Sequence, residues 1–169
     1  MPLPIPNRAD ARITLILPED DAVALDTDAA KEAFTAYLSA EVPDAESLVL
    51  RPEVTPWRFT VRPLNEEESA IVEGMSRVSW EEGLNSGALN YAILRFALVD
   101  AIGDGLPDLQ RERLYGCDIL TRSSVDWIPK TSAAWLAAVA ARWSRLTPEK
   151  KSNSTSSRGR RVGTRSANT

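Results

Sequence analysis

A chain of 169 residues, 43% hydrophobic and 26% charged with a formal net charge of −4, has the size and composition of one globular domain. Its single cysteine, Cys117, and its lack of histidine exclude an intrachain disulfide, a cysteine metal site, every Ser-His or Cys-His nucleophile and the most frequent general base. Charge is unevenly placed: residues 147–169 hold six cations against Glu149, net +5, which leaves 14 basic and 23 acidic residues, net −9, for residues 1–146.

The opening run M-P-L-P-I-P-N-R is too short and too proline-rich for a signal peptide. No apolar run approaches the roughly 20 residues that span a bilayer, so a soluble, cytoplasmic protein is expected. Residues 1–11 read as a flexible arm and residues 12–146 as a single domain. Residues 147–169 read as a disordered basic tail, because Ser, Thr, Gly and Arg leave almost nothing apolar to offset chain entropy.

In chain order, Arg12–Leu17 alternates, with Ile13, Leu15 and Leu17 on one face, and predicts a strand ended by Pro18. Glu19-Asp20-Asp21 follows as a polar loop. Asp26 or Thr27 caps a helix to about Ala40 that buries Ala30, Ala33, Phe34, Tyr37 and Leu38. Ser47–Arg51 predicts a second strand, joined through Pro52–Pro56 to a third as a hairpin. In that third strand Trp57, Phe59 and Val61 alternate with Arg58, Thr60 and Arg62 until Pro63 ends it. Asn65 then caps a helix whose first turn, Glu66-Glu67-Glu68, complements the helix dipole. That helix carries Ile71, Val72, Met75, Val78 and Trp80 and fades near Gly83.

Ser86-Gly87 restarts a helix predicted over Ala88–Ile102. Leu89, Ile93, Leu94, Phe96, Ala97, Leu98 and Ala101 form a wide apolar arc there, which predicts a central helix covered on most sides. Gly103-Asp104-Gly105 terminates it. Residues 106–115 look irregular, and Tyr115–Thr121 adds a short strand. Val125–Pro129 leads into a last helix capped by Thr131 or Ser132, with Trp135, Leu136, Val139, Trp143 and Leu146 at helical spacing. The sum is an α+β, helix-dominated domain with a small N-terminal antiparallel sheet of two or three strands.

Several groups of residues resemble chemistry without supplying it. Glu66, Glu67 and Glu68 point about 100° apart on a helix and do not converge on one ion. Asp100, Asp104 and Asp108 share a spacing of four, but Gly103, Gly105 and Pro107 break any helix through them. Gly103-Asp104-Gly105 lacks the Lys-Ser/Thr pair of a phosphate loop. Cys117, with no histidine to activate it, reads as a small core residue. No catalytic, cofactor-binding or metal-binding residue is expected, and the chain is not read as an enzyme. Trp135, Val139, Trp143 and Leu146, on one helix face, are the candidate partner-binding stripe, with core packing as the default reading for tryptophans in periodic apolar settings. Lys150, Lys151, Arg158, Arg160, Arg161 and Arg165 form a solvated tail, with phosphate contact or folding back onto the acidic body as the other readings.

Three stretches carry a resemblance. The first is Pro56-Trp57-Arg58-Phe59-Thr60-Val61-Arg62-Pro63-Leu64 followed by an acidic helix start. The second is a closing helix introduced by Ile128-Pro129. The third is Ser144-Arg145-Leu146-Thr147-Pro148-Glu149-Lys150-Lys151-Ser152-Asn153-Ser154, similar to an S-x-L-T-x-E-x-K-N-S ending but with Ser152 in place of Lys or Asn. Together they resemble small proteins encoded among the tail genes of long-tailed bacteriophages and prophages, of the tail assembly chaperone type. The resemblance implies a non-enzymatic protein of the host bacterial cytoplasm that binds the long helical tape-measure protein, or other tail proteins, until tube subunits polymerise around it. The alternative is a structural adaptor, a tail-completion or head–tail joining protein, that forms a homo-oligomer in the virion. Neither reading calls for a membrane, and nucleic acid would be met only through the basic tail.

Overall fold

The strand that begins after Trp57 is the middle of the sheet. The structure, a computed structural model, describes residues 11–79, 83, 84 and 86–146. Strand β1 (Ile13–Leu15) and strand β2 (Arg58–Val61) pair antiparallel, Leu15 opposite Phe59. On its other side β2 pairs antiparallel with a strand formed by Leu98–Ile102, with Phe59 opposite Ala101 and a bulge at Thr60/Val61. The sheet places Leu15, Phe59, Val61 and Leu98 in the core.

Helix α1 (Asp28–Ser39) follows β1 and is capped by Thr27, whose hydroxyl accepts from the Ala30 N–H. Tyr37 and Ala30 face inward and Phe34 and Ala33 are half-buried, but Leu38, expected inside, is exposed. The predicted second strand is replaced by a 3-10 turn (Ala45–Ser47) and a single bridge between Val23 and Leu50. Residues 47–51 therefore form no hairpin with β2. The β2 edge they would have taken is occupied by β1.

Helix α2 (Glu66–Ser76) starts as its sequence demands. Asn65 accepts from the Glu68 N–H, and the Glu68 carboxylate reaches back to the Asn65 N–H. The same carboxylate receives both guanidinium nitrogens of Arg62, at 2.9 and 2.5 Å. One buried acid thus ties the end of β2 to the helix start. Ser144 of the last helix donates to Ala140 and accepts from the Leu64 N–H, fixing the junction from a third side.

The α2 helix ends at Ser76, earlier than predicted, and two short strands follow, β3 (Arg77–Ser79) and β4 (Gly83–Leu84). Trp80 lies outside the described residues. Helix α3 (Ser86–Ala97) is central as expected, packed along the last helix and against α2. Its predicted final turn is instead strand β5 (Leu98–Ile102). The Ala97 carbonyl accepts from the Arg62 N–H at 2.9 Å, so β2 takes up the chain where a helical hydrogen bond would have continued it.

Residues 106–121, expected to be irregular before one strand, contain a hairpin of β6 (Arg111–Leu114) and β7 (Cys117–Leu120). Tyr115 and Gly116 take φ of 52° and 74°, the two positive values a two-residue hairpin turn of the matching twist requires. Helix α4 (Arg122–Asp126) precedes helix α5 (Lys130–Leu146). Helix α5 begins at Lys130, so neither Thr131 nor Ser132 is its cap. Ala11, assigned to the arm, is buried, while residues 1–10 and the tail of residues 147–169 lie outside the described residues.

Both outer strands of the sheet end in side-chain closures. The Tyr37 hydroxyl donates to the Ile16 carbonyl at 2.7 Å and accepts from the Ile16 N–H at 3.0 Å, standing in for a further strand just past β1. On β5, Asp100 accepts from the Ala101 N–H at 2.9 Å and Arg111 donates to the Val99 carbonyl at 3.0 Å. Such closures deny an incoming strand the groups it would pair with.

Candidate functional site

Where β1 runs out and β2 begins, an apolar groove of about 370 Å³ opens. Leu17, Val54, Trp57 and Pro129 supply its apolar lining, Glu19, Asp20 and Asp21 its acidic side, and Ser132 at the start of α5 completes it. The acidic loop is fastened by the backbone it reaches. Asp20 accepts from the Ala22 N–H with one oxygen and from the Trp57 N–H with the other, at 2.9 and 3.0 Å. Glu19 accepts from the Ser132 hydroxyl at 2.6 Å. Asp21 is exposed and, among the described residues, its carboxylate has no hydrogen-bond or ion-pair partner.

Trp57 is the aromatic of this groove. It was expected inside with Phe59 and Val61, yet it is 36% exposed while those two are buried. It is nonetheless rigidly seated. Its indole N–H donates to the Asp104 carbonyl at 3.1 Å, and its ring meets Trp127 edge-on at 6.3 Å. Trp127 in turn stacks on Phe59. The indole also rests against the Gly103 backbone, where a Cβ would lie 2.2 Å from its Cδ1. Gly103 is therefore required by close approach.

A fixed aromatic ring, an apolar lining and one uncommitted carboxylate suit a cation carried on an apolar stem, the pattern of a lysine or arginine side chain. Among the described residues no group of three His, Cys, Asp or Glu side chains is placed to hold a metal ion. No described helix is long and apolar enough to cross a membrane.

The stripe singled out on the closing helix lies elsewhere and largely inward. Val139 and Trp143 are 2% and 5% exposed and belong to the main core, which α3 and the sheet complete. Trp135 is half-buried, packs against both the main core and the smaller one around Ile16, Val23, Tyr37 and Leu48, and meets the Tyr37 ring at 5.9 Å. The Leu146 side chain and the basic residues Lys150, Lys151, Arg158, Arg160, Arg161 and Arg165 lie outside the described residues. Cys117 is half-buried against the core. Glu66, Glu67 and Glu68 occupy the first turn of α2. Sequence reasoning placed Trp57 in the core and Asp21 in a polar loop, and no local signal brings them together, because three separate parts of the chain make the groove.

Comparisons of the chain with models of known protein families, with curated proteins and with solved structures return no match.

Proposed function

We propose that this is a non-enzymatic assembly chaperone of the tailed-phage type, which holds the tape-measure protein in the host cytoplasm during tail morphogenesis. The observation that carries the proposal beyond the sequence resemblance is the rigid, half-exposed Trp57 beside the acidic loop, on a body of strongly negative charge. A preformed aromatic anchor costs little conformational entropy on binding, and such anchors dominate the energetics of protein interfaces. The contact surface is accordingly assigned to the groove rather than to the α5 stripe. The side-chain closures on the outer strands of the sheet favour a chaperone over a ring-forming adaptor, since they oppose self-association by strand addition.

The test is co-expression with the long helical protein encoded beside this gene, followed by solubility and pull-down measurements. The expected outcome is a soluble complex that Trp57→Ala and Asp21→Asn weaken while the thermal melt of the free protein stays within a few degrees. A partner that remains insoluble, or a complex indifferent to both substitutions, refutes the proposal.

A further inference from the structure

The groove and the basic segment beyond α5 complement one another in charge, shape and reach. The groove offers an indole face, an apolar lining from Leu17 and Val54, and the Asp21 carboxylate, which is unpaired among the described residues. Arg51, Arg58 and Lys130, the cations next in the chain to its lining, make no ion pair with that carboxylate, and Arg58 pairs with Glu46 instead. The chain itself holds a compact run of cations, Arg158-Gly159-Arg160-Arg161, with no acidic residue from Lys150 onward.

Reach selects among the basic residues. Helix α5 starts beside the groove, which Pro129 and Ser132 line, and runs for 17 residues. At about 1.5 Å per residue its far end lies about 24 Å away. Four residues beyond Leu146, Lys150 can return at most about 14 Å, at roughly 3.5 Å per extended residue. Twelve residues beyond it, Arg158 can span about 40 Å. Lys150 therefore falls short and Lys151 reaches only with backbone and side chain fully extended, whereas the arginine run reaches with slack.

We propose that the groove is the docking site for this chain's own Arg158–Arg161 segment, one guanidinium lying over the Trp57 ring and pairing with Asp21. Planar guanidinium stacks on aromatic faces and is more weakly hydrated than ammonium, so arginine suits such a site better than lysine. The arrangement does not depend on the assembly reading. A partner that uses the groove would compete with the segment, and the following experiment needs no partner.

In the intact protein, the Trp57 indole N–H and the Asp21 amide are followed by NMR, assigned with the aid of Trp57→Phe. Wild type is compared with the triple variant Arg158→Ala/Arg160→Ala/Arg161→Ala at dilute, equal concentration. The expected result is a shift of both signals in the variant, with those of Trp127 and Trp143 unmoved. Raising the salt should drive wild type toward the variant's positions, because the Debye length falls to about 3 Å at 1 M. Superimposable low-salt spectra overturn the proposal. A shift that grows with protein concentration also overturns it, since the segment would then come from a second copy.

Discussion

Removing one oxygen from Tyr37 tests how the end of β1 is closed. The residue is 1% exposed, and its hydroxyl serves both polar groups of the buried Ile16 backbone. Tyr37→Phe keeps the ring and its tilted contact with Trp135, so packing is nearly conserved. What changes is that one buried N–H and one buried C=O lose their partner. A buried group left unsatisfied costs about 1–3 kcal/mol, so the pair should cost about 2–6 kcal/mol. Urea unfolding followed by fluorescence should report that loss with an unchanged m value, and the Ile16 amide should exchange faster with solvent. A loss under about 0.5 kcal/mol, below the ordinary net worth of a single hydrogen bond, would show that Ile16 finds other partners and that the phenol does not close the strand. The pH dependence gives a second check. Burial pushes the Tyr37 phenol above its ordinary value, so the folded state keeps a proton that the unfolded chain releases near pH 10. This contribution is fully present below about pH 10 and is lost as pH rises above it, and Tyr37→Phe should flatten that decline.

Three further variants probe the rest of the fold. Trp143→Ala should cost about 3–5 kcal/mol in a denaturant melt, as a large aromatic removed from a core does, whereas a residue serving only a partner would leave stability unchanged. Gly103→Ala should cost about 1–3 kcal/mol and displace the indole of Trp57, shifting its N–H resonance; an unmoved resonance would refute the close approach. Asp100→Ala with Arg111→Ala frees the Ala101 N–H and the Val99 carbonyl, and light scattering should then detect self-association. A double variant that stays monomeric at every concentration would show that these closures do not guard the strand.

The sequence by itself determined the junction from Trp57 to Glu68. Alternation from Phe59 to Val61, a proline beyond it, an asparagine cap and an acidic first turn all act within a few bonds of one another, and each appears in the structure where expected, Trp57 alone excepted. It also determined that α3 is central, because an apolar arc that wide has to be covered from several sides. Leu98–Ile102 was different. Leu-Val-Asp-Ala-Ile satisfies both the helical and the extended period, and a short apolar run of that kind is ambiguous. The Arg62 N–H, which donates to the Ala97 carbonyl from 35 residues earlier in the chain, and the open side of β2 made it a strand. Tertiary structure likewise decided the tryptophans. Helical spacing puts Trp135, Val139 and Trp143 on one side of α5 but cannot say what covers that side, and α3 packs along the helix to close the core there. Strand alternation points Trp57 inward, yet it sits at the strand's start, where Trp127 and the Gly103 backbone already fill the space beneath it. A local pattern fixes the direction of a side chain, and only the assembled neighbours fix whether that direction ends in core or in water.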